Sequence, residues 1–170
     1  MTKIKLANVK IRKALISDVP SIQKLINMHA ETGEMLPRSL NELYENLRDI
    51  FVCVYEDKVV GCCALHIDWS DLAEVKSMAV HPDYQRKGIG RAVLKTCLDD
   101  ARALGINRVF ALTYKPDFFK KFGFRVIEKS ELPHKIWSEC IRCPKFPDCN
   151  EIAMIIYLNG EEKSPKEWSF

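Results

Sequence analysis

The chain has 170 residues, 47% of them hydrophobic, and its 26 basic and 23 acidic side chains give a formal net charge of +3. That suffices for one core and leaves no room for a second catalytic domain, while the scatter of basic residues excludes the concentrated basic face of a nucleic-acid binder. Residues 1–10 interrupt their apolar positions with Lys and Asn, no window approaches the roughly 20 apolar residues of a membrane span, and seven Cys is an odd number without an export signal. Reduced thiols in a cytoplasmic protein are therefore expected, with neither nucleic acid nor membrane as a partner.

In chain order, residues 9–14 alternate apolar and basic positions, as a half-exposed strand does. Ser17-Asp18 followed by Val19, Ile22, Leu25 and Ile26 predicts an amphipathic helix that Gly33 ends. After an irregular loop at 34–38, Ser39-Leu40-Asn41-Glu42 has capping-box spacing, and Leu40, Leu43, Tyr44 and Leu47 supply the stripe of a second helix. Residues 51–55 and 59–67 predict a hairpin across the polar tetrad 56–59, and residues 72–80 a third strand. Val93, Leu94, Cys97, Leu98, Ala101 and Leu104 then follow helical spacing up to Gly105, and 108–112 returns as a strand. Pro116 opens a short helix, 124–128 and 152–158 are further strands, and 130–150, with three Pro and three Cys, reads as loop. The order βααβββαβαββ defines one α+β domain over residues 1–158, followed by a polar tail at 159–170.

The most informative segment lies between the strand ending at Val80 and the helix beginning near Gly90. Gln85-Arg86-Lys87-Gly88-Ile89-Gly90 lets several backbone N–H groups converge without side-chain obstruction, the helix dipole favours negative charge, and Arg86, Lys87 and Arg91 add mobile cations. This is an anion cradle. It is not a nucleotide P-loop, lacking the Gly-Lys-Ser/Thr ending, nor a dinucleotide fingerprint, lacking the third Gly. The bland alternative is a strand-to-helix turn with a solvated basic rim.

With Ala79-Val80 ahead of it, the cradle resembles the acyl-CoA motif of the GNAT acetyltransferase superfamily, Gln/Arg-x-x-Gly-x-Gly/Ala after a strand ending in Ala-Val, and the predicted element order is similar from about residue 11 to residue 158. The resemblance implies a mostly antiparallel sheet flanked by helices and acetyl-CoA as co-substrate, with no metal. It implies a strand splayed from its neighbour, so that main-chain groups of Met78, Ala79 and Val80 face the pantetheine arm while Gln85, Arg86, Lys87, Gly88, Ile89, Gly90 and Arg91 hold the pyrophosphate.

Transfer to an amine needs a base, because free amines are mostly ammonium near neutral pH. Glu74, six residues before Val80, occupies the position where many members of the superfamily carry theirs. Strand alternation would turn Glu74, Lys76, Met78 and Val80 to one side. Without the motif, Glu74 reads as an exposed strand carboxylate paired with Lys76. The superfamily's usual Tyr acid is replaced by Phe119, four residues before Gly123-Phe124. Phe119 and Thr113 are then expected along the cofactor, and Tyr114 and Thr113, just after the strand at 108–112, are the nearest hydroxyls for an acid, with water as a substitute and packing as the ordinary alternative for Tyr114.

Several strings, among them Gly33-Glu34-Met35-Leu36-Pro37-Arg38-Ser39-Leu40, Phe110-Ala111-Leu112-Thr113-Tyr114 and Leu132-Pro133-His134-Lys135-Ile136-Trp137, resemble the acetyltransferase domain of the N-acetylglutamate synthases. L-Glutamate is thereby implied as acceptor, in the first step of arginine biosynthesis, with Arg38 and Arg142 as clamps for its two carboxylates and Lys145 as an auxiliary. His66 stands where related synthases have a Lys, so its charge depends on pH. Solvated loop charge is the ordinary reading of both Arg residues. Cys140, Cys143 and Cys149 read as thiols packing the loop that delivers Arg142, a zinc site or redox pair being the minority reading. Cys62 and Cys63, adjacent in a strand, should face opposite sides. Another amine acceptor and a noncatalytic acyl-CoA module remain the competing functions. A homodimer stays open.

Overall fold

The computed structural model describes residues 4–146 and 148–160, the side chains of His134, Lys135 and Glu139 excepted. The tail from residue 161 onward therefore lies outside the described residues. The elements in chain order are β1 (Lys10–Lys13), α1 (Val19–Glu31), α2 (Leu40–Glu45), β2 (Ile50–Tyr55), β3 (Lys58–Trp69), β4 (Leu72–Val80), α3 (Ile89–Ala103), β5 (Arg108–Thr113), α4 (Pro116–Lys120), β6 (Arg125–Ile127), α5 (His134–Ile141) and β7 (Ile152–Tyr157). They form one seven-stranded sheet in the order β1-β2-β3-β4-β5-β7-β6. Every adjacent pair is antiparallel except β4 and β5, which run parallel because α3 carries the chain between them.

Local chemistry accounts for most boundaries. The expected hairpin turns on two residues, Glu56 and Asp57, both at positive φ (47° and 59°), so Lys58 and Val59 belong to β3 and not to the turn. The Ser39–Glu42 capping box forms as expected: the Glu42 N–H donates to Ser39 Oγ (3.2 Å), and the Ser39 N–H donates to the Glu42 carboxylate (2.7 Å). Asp18, in the 3-10 turn before α1, does not cap that helix. Its carboxylate instead accepts twice from the Arg12 guanidinium (2.6 and 3.1 Å) and once from the Leu15 N–H (2.7 Å), which ties β1 to the start of α1. The Arg12 bonds hold the Asp18 carboxyl below its usual range.

One expectation fails. Residues 130–150 are not all loop, since α5 runs through them between Pro133 and Pro144. It buries Ile136 against Leu72, Phe110 and Ile155. Those apolar contacts outweigh the local Pro and Cys density that argues against a helix.

Helices cover both faces of the sheet. Ile89, Val93, Leu94 and Leu98 of α3 pack on Cys63, Leu65, Val75 and Val109. Ile22, Leu25 and Ile26 of α1 and Leu43 of α2 pack on the other face, against Val52, Cys62, Ala64 and Ala79. Cys62 and Cys63 thus point to opposite sides, as their adjacency in a strand requires.

Candidate active site

Two departures from regularity in β4 create the site. The first is a fork. β4 pairs with β5 only through Leu72–Arg108, Ala73–Val109 and Glu74–Phe110, after which the strands separate while β3 follows β4 as far as Val80. Its closed end is pinned by the Arg108 guanidinium, which donates to both carboxylate oxygens of Asp71 (3.1 and 3.0 Å). From Val75 onward one edge of β4 is therefore released from β5 and offers main-chain groups to whatever enters the fork.

The second is a bulge. Cys62 pairs with Ala79 and Ala64 with Lys76, so β4 carries one extra residue there, and Ser77 takes φ 52°. The extra residue reverses the alternation. Glu74 and Lys76 do not share a side with Met78 and Val80: Met78 and Val80 join Ala73 and Val75 in the core under α3, whereas Ala79 faces α1 and α2. An open cavity of about 1040 Å³ passes through the fork and touches both sets, from Gly88 and Gly90 at one end to Glu74, Arg38 and Arg142 at the other.

The segment expected to form the anion cradle lies at the α3 end. Gly88 caps the helix at φ 85°, and Arg86 also lies at positive φ (58°), so successive amides around Lys87 turn toward one side. A Cβ on Gly90 would meet only Phe118 and Val80 at 3.7 Å, ordinary contact, so the fold itself does not exclude a larger residue there. The space above Gly90 belongs to the cavity.

Three details bear on the expectations at this end. The Ile89 side chain is buried in the core, which leaves only its main chain for a ligand. The Lys87 ammonium donates to the Asp83 carbonyl (2.7 Å) and is engaged in the preceding turn. The Val80 carbonyl, expected to face the pantetheine arm, already accepts from His29 Nε2 (2.9 Å) and Gln85 Nε2 (3.1 Å).

At the opposite end, Glu74 is 8% exposed and sits between the apolar patch under α1 and α2 and the patch under α5. His66 is its cross-strand partner. His66 Nδ1 lies 2.7 Å from Asp49 Oδ2, and that bond raises the His66 pKa against the opposing pull of burial and Lys76. Arg38 lines the cavity on a braced loop: its N–H donates to Asn27 Oδ1 (3.1 Å), its carbonyl accepts from Gln23 Nε2 (3.2 Å), and its guanidinium lies 3.7 Å from Glu42. Arg142 reaches the same cavity from the segment after α5 and is exposed.

Lys145 does not join the two Arg side chains as a free auxiliary. Its ammonium donates to the Tyr114 hydroxyl (2.5 Å) and approaches the Gly33 carbonyl (3.5 Å). Thr113 is buried, and its Oγ1 accepts from the Lys115 N–H (2.9 Å), so it serves the turn into α4. Phe119 is buried beside Phe118 and Phe124 while still bordering the cavity.

Sequence reasoning passes over four lining groups. His29, 8% exposed, continues the Ile22-Leu25-Ile26 stripe of α1 and reads as core. Its ring bonds the Val80 carbonyl on one side and the Glu34 carboxylate (2.8 Å) on the other. Glu34, held below the usual carboxylate range chiefly by that bond, also meets Lys115 at 3.4 Å. Asp49 and Glu151 are the others, and burial pushes the Glu151 carboxyl up. No local signal distinguishes these acids from surface charge.

Cys140, Cys143 and Cys149 line the cavity as free, partly exposed thiols, and among the described residues no group of three or more His, Cys, Asp or Glu is arranged to hold a metal. Cys53, Cys62, Cys63 and Cys97 are buried, and burial pushes Cys53 and Cys62 up to about 12. Among the described residues no helix is long and apolar enough to cross a membrane.

A forked parallel pair with an anion cradle at its open end defines an acyl-CoA acetyltransferase. Residues 19–124 match the model of the Acetyltransferase (GNAT) family, and the chain belongs to that family, with acetyl-CoA as its co-substrate. It is 40% identical over 149 residues to an uncharacterized N-acetyltransferase of Chlorobaculum tepidum, covering 88% of this chain and 96% of that one. It is 40% identical over 136 residues to the amino-acid acetyltransferase of Mycobacterium tuberculosis, covering 78% and 77%. The structure of N-acetylglutamate synthase from Neisseria gonorrhoeae complexed with coenzyme A and N-acetyl-glutamate superimposes with a TM-score of 0.81 at 30% identity. That match covers 88% of this chain and 35% of the synthase, so the chain spans about a third of it.

Proposed function

We propose that this chain acetylates the α-amino group of an amino acid, L-glutamate foremost, and so makes N-acetylglutamate at the start of arginine biosynthesis. One observation carries the reading: the cavity that reaches the cradle also holds the buried carboxylate Glu74 and two guanidinium groups, Arg38 and Arg142, at its other end. The amino-acid acetyltransferase and the N-acetylglutamate synthase among its relatives support it. Residues 1–158 act as one acetyltransferase domain, and seven free thiols fit a reducing cytoplasm.

In this reading α3 and the cradle amides hold the pyrophosphate, and the released edge of β4 receives the pantetheine arm and binds the developing oxyanion. Arg38 and Arg142 each fork onto a carboxylate of the acceptor, which leaves its amine toward Glu74. Glu74 takes the ammonium proton directly or through water, and the neutral amine attacks the thioester carbonyl.

Other carboxyl groups on the lining, Glu34, Glu42 and Asp49, favour a second reading, an amino acid with one carboxylate, because they offset part of the cationic field. A panel of the common amino acids with acetyl-CoA, followed by release of free thiol, decides between them. Glutamate is expected to lead. A polyamine or lysine preferred over glutamate refutes the carboxylate clamps, and no thiol release with any amine refutes the enzyme.

A further inference from the structure

The segment after α5 delivers Lys145 to a place that substrate binding does not require. Its ammonium lies 2.5 Å from the Tyr114 hydroxyl oxygen and 4.3 Å from the ring centroid. The ammonium is thus at the hydroxyl and not over the ring face.

An ammonium has only donors, so in this bond the phenol oxygen must accept. Among the described residues the Tyr114 hydroxyl has no other hydrogen-bond partner, and its own proton is left to point elsewhere. Tyr114 lines the cavity at the end of β5, the strand that diverges from β4 at the fork. The side chain in the superfamily's usual acid position, Phe119, has no proton to give.

We propose that Lys145 is a positioning residue for Tyr114: by occupying the phenol's acceptor side it aims the hydroxyl proton into the cavity, where Tyr114 protonates the departing coenzyme A thiolate. This rests on the acetyl-transfer reading above. When the tetrahedral intermediate collapses, the C–S bond breaks and sulfur leaves with the electron pair. It takes the proton from Tyr114 Oη, and the phenolate left behind is stabilised by the Lys145 ammonium. The nitrogen loses two protons in all: the first goes to Glu74 before attack, and the second, shed after attack, passes through water to the Tyr114 phenolate and restores it, so that Glu74 releases one proton to solvent per turnover.

The bond to Tyr114 also raises the Lys145 pKa above the usual lysine value, so the ammonium stays charged around neutral pH. Burial opposes that shift, while Glu151 and Cys149 act in the same direction as Tyr114. A carboxylate clamp would need the ammonium free to meet the substrate. Here it is committed to the enzyme's own hydroxyl.

The test compares wild type with Tyr114→Phe, Lys145→Met and Lys145→Arg, using the amino acid that wild type turns over best. Tyr114→Phe and Lys145→Met should each lower kcat on the order of 10- to 100-fold, with the KM for the amino acid unchanged within about twofold. The alkaline limb of the kcat–pH profile should vanish in Tyr114→Phe, move to higher pH in Lys145→Met, and stay near its wild-type place in Lys145→Arg. A raised KM with unchanged kcat in Lys145→Met would instead make Lys145 a clamp and overturn the proposal.

A second measurement needs no acceptor. Ultraviolet difference titration of the protein alone, with the Tyr114→Phe trace subtracted, follows ionisation of Tyr114, which should shift to higher pH in Lys145→Met and hold in Lys145→Arg. An unmoved titration overturns the pairing even if no amino acid is a substrate, while a shifted titration with no turnover preserves the pairing and overturns the function.

Discussion

The end of the cavity proposed for the cofactor is built of main chain: the φ angles of Arg86 and Gly88, the amides at the start of α3 and the released edge of β4. The end proposed for the acceptor is lined by side chains carried on irregular segments, Arg38 between α1 and α2 and Arg142 after α5. A main-chain site must be built from neighbouring residues, so its tolerance for substitution is small and local. A side-chain site can be assembled from residues more than a hundred positions apart, and each contributor can be replaced with a graded loss. Substitutions at the two ends should therefore fail differently.

The largest effect is expected where the ends meet. Glu74→Gln should keep acetyl-CoA affinity and lower kcat roughly 10²- to 10⁴-fold, the deficit narrowing at alkaline pH where the amine deprotonates unaided. Stopped-time thiol release across pH measures it, and normal neutral-pH turnover would make Glu74 a structural residue.

Gly90→Val should come next, removing acetyl-CoA binding by about 10²-fold because a branched side chain stands between the amides and the pyrophosphate. The 3.7 Å clearance around a Cβ there predicts a nearly unchanged melting temperature. Calorimetric titration of the folded variant decides, and undiminished affinity would move the cofactor out of the cradle.

Arg38→Ala and Arg142→Ala should each raise the half-saturating glutamate concentration about tenfold or more, since a carboxylate left unpaired costs about 1–3 kcal/mol, while the value for acetyl-CoA hardly moves. Lysine at either position should restore only part of the loss. Equal losses for both substrates would erase the distinction between the ends.

The smallest effect concerns His66. Its folded-state pKa is raised, chiefly by Asp49, so the protonated pair adds stability that is complete below the unfolded-state pKa and disappears as pH rises through the folded one. Asp49→Asn should lower the His66 titration midpoint seen by NMR and remove up to about 1 kcal/mol of stability on the acid side only. An unmoved midpoint would show that Asp49 does not control the charge of His66.

The same contrast explains what could be read from sequence. Gln85 to Arg91 is contiguous, and each residue has a stated physical task, so the cradle and the strand leading into it are legible in the order of the residues. The fork follows only through the resemblance, because nothing in Leu72-Ala73-Glu74 marks the last paired residue. The bulge has no signature: a Ser at φ 52° looks in sequence like any strand Ser, and strict alternation therefore misplaces Met78 and Val80. His29 hides in an apolar stripe of α1. Tyr114 and Lys145 are 31 residues apart, so neither alone predicts the other. Pro133 and Pro144 bracket α5 in the sequence, yet its buried face becomes meaningful only once Leu72 and Phe110 are placed opposite Ile136.

The extra residue in β4 has a consequence for how this chain can diverge. Upstream of Ser77, positions 74 and 76 face one helical layer, and downstream, positions 78 and 80 face the other. Side chains read by the acceptor and side chains that support the donor site then lie along a single strand with none in common. Substitutions at 76 can drift toward a new acceptor while acyl-donor affinity is inherited intact and Glu74 is kept. Deleting one residue between 76 and 79 would remove the bulge and leave the two sets on the opposite faces they now occupy, so it is the extra residue, with Ser77 at φ 52°, that lets a strand of this length keep both. A library that varies residue 77 should accordingly recover its active members mostly with Gly, Asn or Ser there, residues that accept a positive φ, and few with β-branched side chains.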